Sequence, residues 1–156
     1  MAKTLSKTTE YYPPVGFHFS VKFENLGTDD KDHQFQSVSG LSVDIETEEI
    51  AEGGENRFKH KLPVKTKFPN LVLKRGLLID SKVINWCKDA IENFEFKPVD
   101  IIVTLLNSEH KPLQYWKVIH AYPVKWSVED FNAQESKLVV ESFELTYNYF
   151  ILNRQE

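Results

Sequence analysis

The chain has 156 residues, a net charge of −4 and one cysteine, enough for one substantial core and too few for two. That charge gives no global pull toward nucleic acid or anionic membrane, the lone cysteine excludes an intramolecular disulfide, and no run approaches the roughly 18 apolar residues of a membrane span. Folding in a reducing cytoplasm, without an ordinary secretory signal, fits these features best.

Residues 1–10 (MAKTLSKTTE) are polar and read as a flexible arm before a single β domain spanning 11–152. Tyr11, Tyr12, Pro13 and Pro14 are expected to be extended, because a residue before proline avoids the helical region. In GFHFSVKF, Phe17, Phe19, Val21 and Phe23 alternate with polar residues, the period of a half-buried strand. NLGTDDKDH is a polar turn whose Asp29, Asp30 and Asp32 faintly resemble a calcium loop, but the sixth-position glycine and terminal glutamate are missing. A solvated turn is the better reading.

Phe35 to Ile50 reads as a strand interrupted at Ser39 and Gly40, where glycine permits a bulge or sharp bend. Next comes an arm of divided charge. Asp44, Glu46, Glu48, Glu49, Glu52 and Glu55 precede a Gly53-Gly54 turn, and Arg57, Lys59, Lys61, Lys65, Lys67, Lys74 and Arg75 follow it. Two strand-like segments around such a turn predict a protruding β-hairpin at about 46–62. Leu71, Val72 and Leu73 form a further strand. Asp80 or Ser81 is placed to cap a helix at about 80–94, with Val83, Ile84, Cys87, Ala90, Ile91 and Phe94 on one face. Cys87 lies in that stripe and reads as a buried thiol.

The last third is strand after strand. Val99–Leu106 is nearly all apolar and should be central, Pro112–Val124 turns at Pro123, and Ser127–Gln134 is a loop. Lys137–Leu152 reads as one long closing strand with Val139, Phe143, Leu145, Tyr147, Tyr149 and Ile151 on one face. The fold class is therefore mainly β: a two-sheet antiparallel barrel or sandwich with one helix and the hairpin. Its open sheet edges would need covering, which pairing between identical subunits supplies.

The chemistry of catalysis has no visible carrier. The five histidines, at 18, 33, 60, 110 and 120, lack zinc spacing, and Cys87 has no cysteine partner. GxGxxG, GxxxxGK[ST] and GxSxG are all missing. An acidic neighbourhood makes EGGEN a poor phosphate cradle. No catalytic, cofactor or metal residue is expected. The alternation of cations with Phe58 and Phe68 fits single-stranded nucleic acid, although the acidic half of the hairpin cancels much of that field. Cross-strand pairing, or pairing between subunits, is the better use of these charges.

Seven ordered pieces carry a resemblance: VSGL (Val38–Leu41), EGG (Glu52–Gly54), KLP (Lys61–Pro63), LVLKRGL (Leu71–Leu77), AYPVKW (Ala121–Trp126), DFNA (Asp130–Ala133) and VVESFEL (Val139–Leu145). In this order the chain resembles the tail tube proteins of contractile phages and of phage-tail-like injection systems. The haemolysin-coregulated protein of type VI secretion is similar at greater distance.

The resemblance implies a structural subunit without enzymatic activity, assembled as hexameric rings that stack into an inner tube. Sheath, baseplate and spike proteins of the same particle would be its partners. No small-molecule substrate and no membrane insertion are implied. It also implies that the hairpin reaches neighbouring subunits, making Glu48, Glu49, Glu52, Gly53, Gly54, Arg57, Lys59 and Lys61 candidate interface residues. Assembly in the cytoplasm would precede residence in a phage tail or an extracellular particle. The C-terminal FELTYNYF and ILNRQE depart from the usual tube ending. With YYPPVGFHF and WCKDAIENFEF, they look closer to tube-initiating subunits at the baseplate, and the main tube subunit is the alternative.

Overall fold

A computed structural model describes residues 18–154. The expectations for residues 1–10, Tyr11–Pro14 and Phe17 lie outside them. In chain order the elements are β1 (Phe19–Phe23), a short 3-10 turn (Asp30–His33), β2 (Ser37–Ser39), β3 (Asp44–Ile50), β4 (His60–Lys67), β5 (Leu71–Gly76), α1 (Lys82–Glu92), β6 (Val99–Leu106), β7 (Pro112–Val128), β8 (Val140–Thr146) and β9 (Tyr149–Arg154). Seven strands form one antiparallel sheet in the order β1-β6-β7-β8-β5-β2, with β9 also on β7. Among the described residues β3 and β4 pair only with each other.

β7 is the hinge of this arrangement. Its first half lies between β6 and β9, through Gln114–Ile119, and its second half, from Tyr122, pairs with β8. The change of neighbour coincides with His120, which has φ 56°, in the left-handed region that non-glycine residues rarely enter. The His120 N–H donates to Asp100 Oδ1 at 3.1 Å, holding the kink. A second irregularity lies between Pro123 and Lys125, so the turn expected at Pro123 is a bulge within a longer strand.

The sheet folds on itself at this corner, and β1, β5, β6, β7 and β8 send Val21, Phe23, Leu71, Leu73, Ile101, Val103, Val118, Phe143 and Leu145 into a shared core. α1 closes it with Val83, Trp86, Cys87 and Ala90. The stripe differs from the expected one: Ile91 and Phe94 are exposed, and Trp86 is buried instead. An acceptor for its indole decides this, since Trp86 Nε1–H donates to the Lys97 carbonyl at 2.8 Å.

The expected closing strand also divides. Its inward parity holds through Phe143, Leu145 and Tyr147, then reverses, leaving Tyr149 and Ile151 exposed while Phe150 packs against the core. Asn148 N–H bonds the Ile119 carbonyl at 3.0 Å, at the same corner where β7 kinks. Two paired strands that bend together exchange their inner and outer faces together.

Arg75 joins Leu71 and Leu73 on the inner side of β5 and is 1% exposed. Grouped by sequence with the basic half of the arm, it belongs to the core. Its guanidinium lies over the rings of Phe35 and Phe143, 5.2 Å from each centroid, and the two rings meet edge-on with centroids 6.4 Å apart. Nε donates to Glu141 Oε1 at 2.6 Å, Nη2 to Ser81 Oγ at 2.7 Å and Nη1 to Asp32 Oδ1 at 3.4 Å. Glu141 also accepts from Trp126 Nε1 at 3.3 Å. Ser81 occupies the N-cap position of α1, but its hydroxyl donates to Asp32 instead of capping the helix. The network thereby ties the 3-10 turn, β5, β8 and the start of α1 to one cation, and no buried side-chain nitrogen or oxygen among the described residues lacks a partner.

Candidate subunit interface

The hairpin stands on a crossing of two chain segments. Gly40 has φ 93°, and a Cβ there would lie 2.1 Å from the Asn70 carbonyl oxygen, which excludes any side chain. Tyr147 O–H donates to the Gly40 carbonyl at 3.2 Å, and Asn70 Nδ2 donates to Glu144 Oε1 at 2.9 Å. Phe68 packs edge-on against Tyr147 and Phe150, with centroids 6.0 and 5.3 Å away. Burial pushes the Tyr147 hydroxyl above its ordinary range. The VSGL piece thus ends in a glycine that anchors the arm, and two aromatic residues of the divided closing strand support it.

From that base β3 and β4 project, with none of their residues buried. The hairpin is longer than expected, from Asp44 to Lys67, with a register shift between Glu46 and Thr47. Its opposed charges meet within the arm: Lys65–Glu46 at 3.2 Å, Lys59–Glu49 at 3.5 Å, His60–Glu52 at 3.6 Å and Arg57–Glu55 at 3.0 Å. The Arg57 hydrogen bonds hold the Glu55 carboxyl below its ordinary range. Among the eight candidate interface residues, the structure places Glu49 with Lys59 and leaves Glu48 and Lys61 without an ion pair among the described residues. Gly53 and Gly54 form the turn in open space.

Apolar surface on the arm escaped the sequence reading. Ile45 and Val64 are 63% and 59% exposed, and Ile50, Phe58 and Leu62 are exposed nearer the turn. Ile50 lies opposite His60 and Glu48 opposite Leu62, so strand alternation puts Ile50 and Leu62 on one face. A two-stranded ribbon with apolar residues open to water is marginal alone. The signal was present in the sequence as uncharged residues between the charges.

The edges of the main sheet are open as well. Among the described residues β1 pairs only with β6, and β9 only with β7. β9 presents Tyr149, Ile151 and Leu152 to solvent. An edge such as that of β9, with apolar side chains open to solvent, is a template for another strand.

No cluster of three or more His, Cys, Asp or Glu among the described residues is placed to hold a metal. Asp32, from the calcium-like run, is buried under Arg75, and the Lys82 ammonium contacts the Gly27 carbonyl and lies 3.9 Å from Asp29. Burial together with the nearby Glu141 carboxylate pushes the Cys87 thiol up to about 12, with Arg75 partly opposing. Such a thiol is inert at neutral pH. No helix among the described residues is long and apolar enough to cross a membrane.

The sequence profile described as T4-like virus tail tube protein gp19 matches residues 15–151. The chain belongs to this tail tube family. No curated protein matches it. A chain in the baseplate of the anti-feeding prophage is 27% identical with a TM-score of 0.83, covering 92% of this tube-family chain and 97% of that one. A chain in the sheath-tube complex of PVC, an extracellular contractile injection system, is 24% identical with a TM-score of 0.78, covering 99% and 100%. Hcp1 from Flavobacterium johnsoniae is 14% identical with a TM-score of 0.52, covering 88% and 95%. The last two likenesses are of fold. Together with the family match, these relatives make the protein a structural, tail-tube-related subunit of contractile systems, and the tube family is one of building blocks rather than enzymes.

Proposed function

We propose that six copies form a ring at the tube-initiating, baseplate end of an inner tube, and that later rings stack on it. The observation that carries this reading is the 27% identical chain, which belongs to a baseplate symmetrised six-fold. The geometry supports it. Edges at β1 and β9 that are open among the described residues give each subunit two strands for a neighbour, and the hairpin offers apolar and charged groups that the described residues do not cover. Glu48, Glu49, Glu52, Gly53, Gly54, Arg57, Lys59 and Lys61 are the proposed contact residues of that arm. Sheath and spike proteins are proposed as further partners, with assembly in the cytoplasm before residence in an extracellular particle or phage tail. Incorporation as the main tube subunit is the alternative within the same family. Internal pairing of the arm's charges weighs against a nucleic-acid groove, which would present cations in one unbroken stripe.

Electron microscopy of the purified full chain tests this. Six-fold rings are expected, extending to tubes if it is the main subunit. An initiator is expected to remain as single rings until a baseplate partner is added. A protein that stays monomeric at high concentration, with or without baseplate proteins, would sink the ring reading.

A further inference from the structure

The start of β1 lies beside the turn that joins β6 to β7. Phe19 pairs with Leu105, and one step further along, the Leu106 N–H donates to the His18 carbonyl at 2.8 Å. Phe19 and Val21 face the core, so strand alternation puts His18 on the outer face of the sheet.

The turn itself is fixed from within. The Asn107 N–H bonds the Lys111 carbonyl at 2.8 Å and the His110 N–H bonds the Asn107 carbonyl at 3.0 Å. Asn107 Oδ1 also accepts from the Glu109 and Lys111 N–H groups, each at 2.9 Å. His110 holds φ 59° in this turn, a left-handed conformation that histidine enters more often than most residues. The result is a pair of imidazoles from distant parts of the chain: the His18 and His110 ring centroids are 5.1 Å apart, with the planes at 87°.

That separation is the one a shared metal ion requires. An imidazole nitrogen lies roughly 2.0–2.1 Å from zinc and about 1.2 Å from its own ring centre, so two rings on one ion at about 90–110° have centroids roughly 4.6–5.3 Å apart. Rotation about each metal–nitrogen bond leaves the ring planes free, so a perpendicular pair serves as well as a parallel one. The broad ring torsion of histidine lets a nitrogen of each ring turn toward the common point.

We infer that His18 and His110 form a two-imidazole site for a divalent cation of the zinc, nickel or copper(II) class. Imidazole suits these ions, whereas calcium and magnesium take oxygen ligands. No third His, Cys, Asp or Glu of the described residues is placed to join the pair, so water fills the remaining positions. The site is therefore exchangeable, unlike closed structural zinc centres with four protein ligands. The nearby Glu109 carboxylate is paired with Lys111 at 3.2 Å. An ion held by both rings ties the residue that leads into β1, an edge strand among the described residues, to the turn that ends β6. The site lies within one subunit and does not depend on ring formation.

Titration calorimetry of the full-length, untagged protein with zinc chloride tests the site. One ion per chain is expected, and calcium chloride should give no heat of binding. His18→Gln and His110→Asn should each weaken zinc binding about tenfold or more, since losing even an outer partner of a ligand costs that much. Asparagine at 110 keeps the left-handed turn. The two variants decide independently, each first checked for native near-ultraviolet circular dichroism. With copper(II), electron paramagnetic resonance should show two coordinated imidazole nitrogens in the native chain and fewer in either variant. His60→Gln, on the hairpin, should change neither readout. A plain ring-to-ring contact predicts no zinc binding at millimolar concentration, and that result overturns the site. So would binding that survives both substitutions, a calcium response equal to that of zinc, or loss of binding in His60→Gln.

Discussion

Arg75 and Lys65 each meet a glutamate at hydrogen-bonding distance, 2.6 Å to Glu141 and 3.2 Å to Glu46, in opposite surroundings. The Arg75 pair is buried beside two aromatic rings and completed by Asp32 and Ser81, whereas the Lys65 pair lies on a ribbon wetted on both faces. Enclosure makes loss of one partner severe, because the remaining charge has neither water nor counter-charge. On the ribbon, water replaces whichever partner is lost. Similar bonds thus hold the body together in one place and tune an adjustable surface in the other.

Removing the central cation is the most direct way to break this contrast. Arg75→Met should destabilise the subunit by about 3–5 kcal/mol, measured by urea denaturation, because it strands Asp32 and Glu141. A loss under about 1 kcal/mol would mean that the network is not tightly enclosed.

Replacing the whole set sharpens the same point. Arg75→Met combined with Asp32→Leu and Glu141→Leu should recover at least about half of that loss, since apolar groups of similar volume often match a buried ion network. If the triple variant is no more stable than Arg75→Met, the cost lay in packing around Phe35 and Phe143.

Acid gives a smaller and graded effect. Burial pushes Asp32 upward, but its bonds with Ser81 and the Asp29 backbone, the Arg75 charge and the Lys82 backbone N–H together hold it below its ordinary value of 3.8. A carboxyl depressed in the folded state contributes stability above its unfolded pKa, and that contribution is lost as pH falls through the folded value. Denaturation midpoints from about pH 7 down to about pH 3 should therefore fall more steeply for the native chain than for Asp32→Asn. Equal slopes would remove Asp32 from the acid response.

The ribbon should respond least in stability and clearly in assembly. Lys65→Gln should change subunit stability by less than about 1 kcal/mol. Raising salt should loosen ring stacking before subunits unfold, as exposed ion pairs are screened. Reversing charge at Glu49, Glu52, Arg57 and Lys59 should shift stacking by light scattering while leaving the melting temperature nearly unchanged. If stacking ignores both salt and charge reversal, the arm works through Ile50, Phe58 and Leu62 rather than through its charges.

Local pattern determined much of this molecule. Alternation at Phe19, Val21 and Phe23, the apolar run at Val99–Leu106, the Gly53-Gly54 turn and the helical spacing around Cys87 located strands, hairpin and helix, because a period of two or 3.6 residues is set by backbone geometry alone. The ordered pieces from VSGL to VVESFEL pointed to the tube family. Long-range partners decided the remainder. Arg75 is an ordinary basic residue after a basic run until Glu141 and Asp32, distant in sequence, close around it. Gly40 is a flexible residue until Asn70 crosses it. Tyr149 and Ile151 continue an inward pattern until the corner at His120 and Asn148 reverses it. The charges of the arm look like a field aimed outward until strand pairing brings Glu46 to Lys65 and Glu49 to Lys59. Each of these depends on which segments meet, and a one-dimensional pattern records only which side of its own strand or helix a residue occupies.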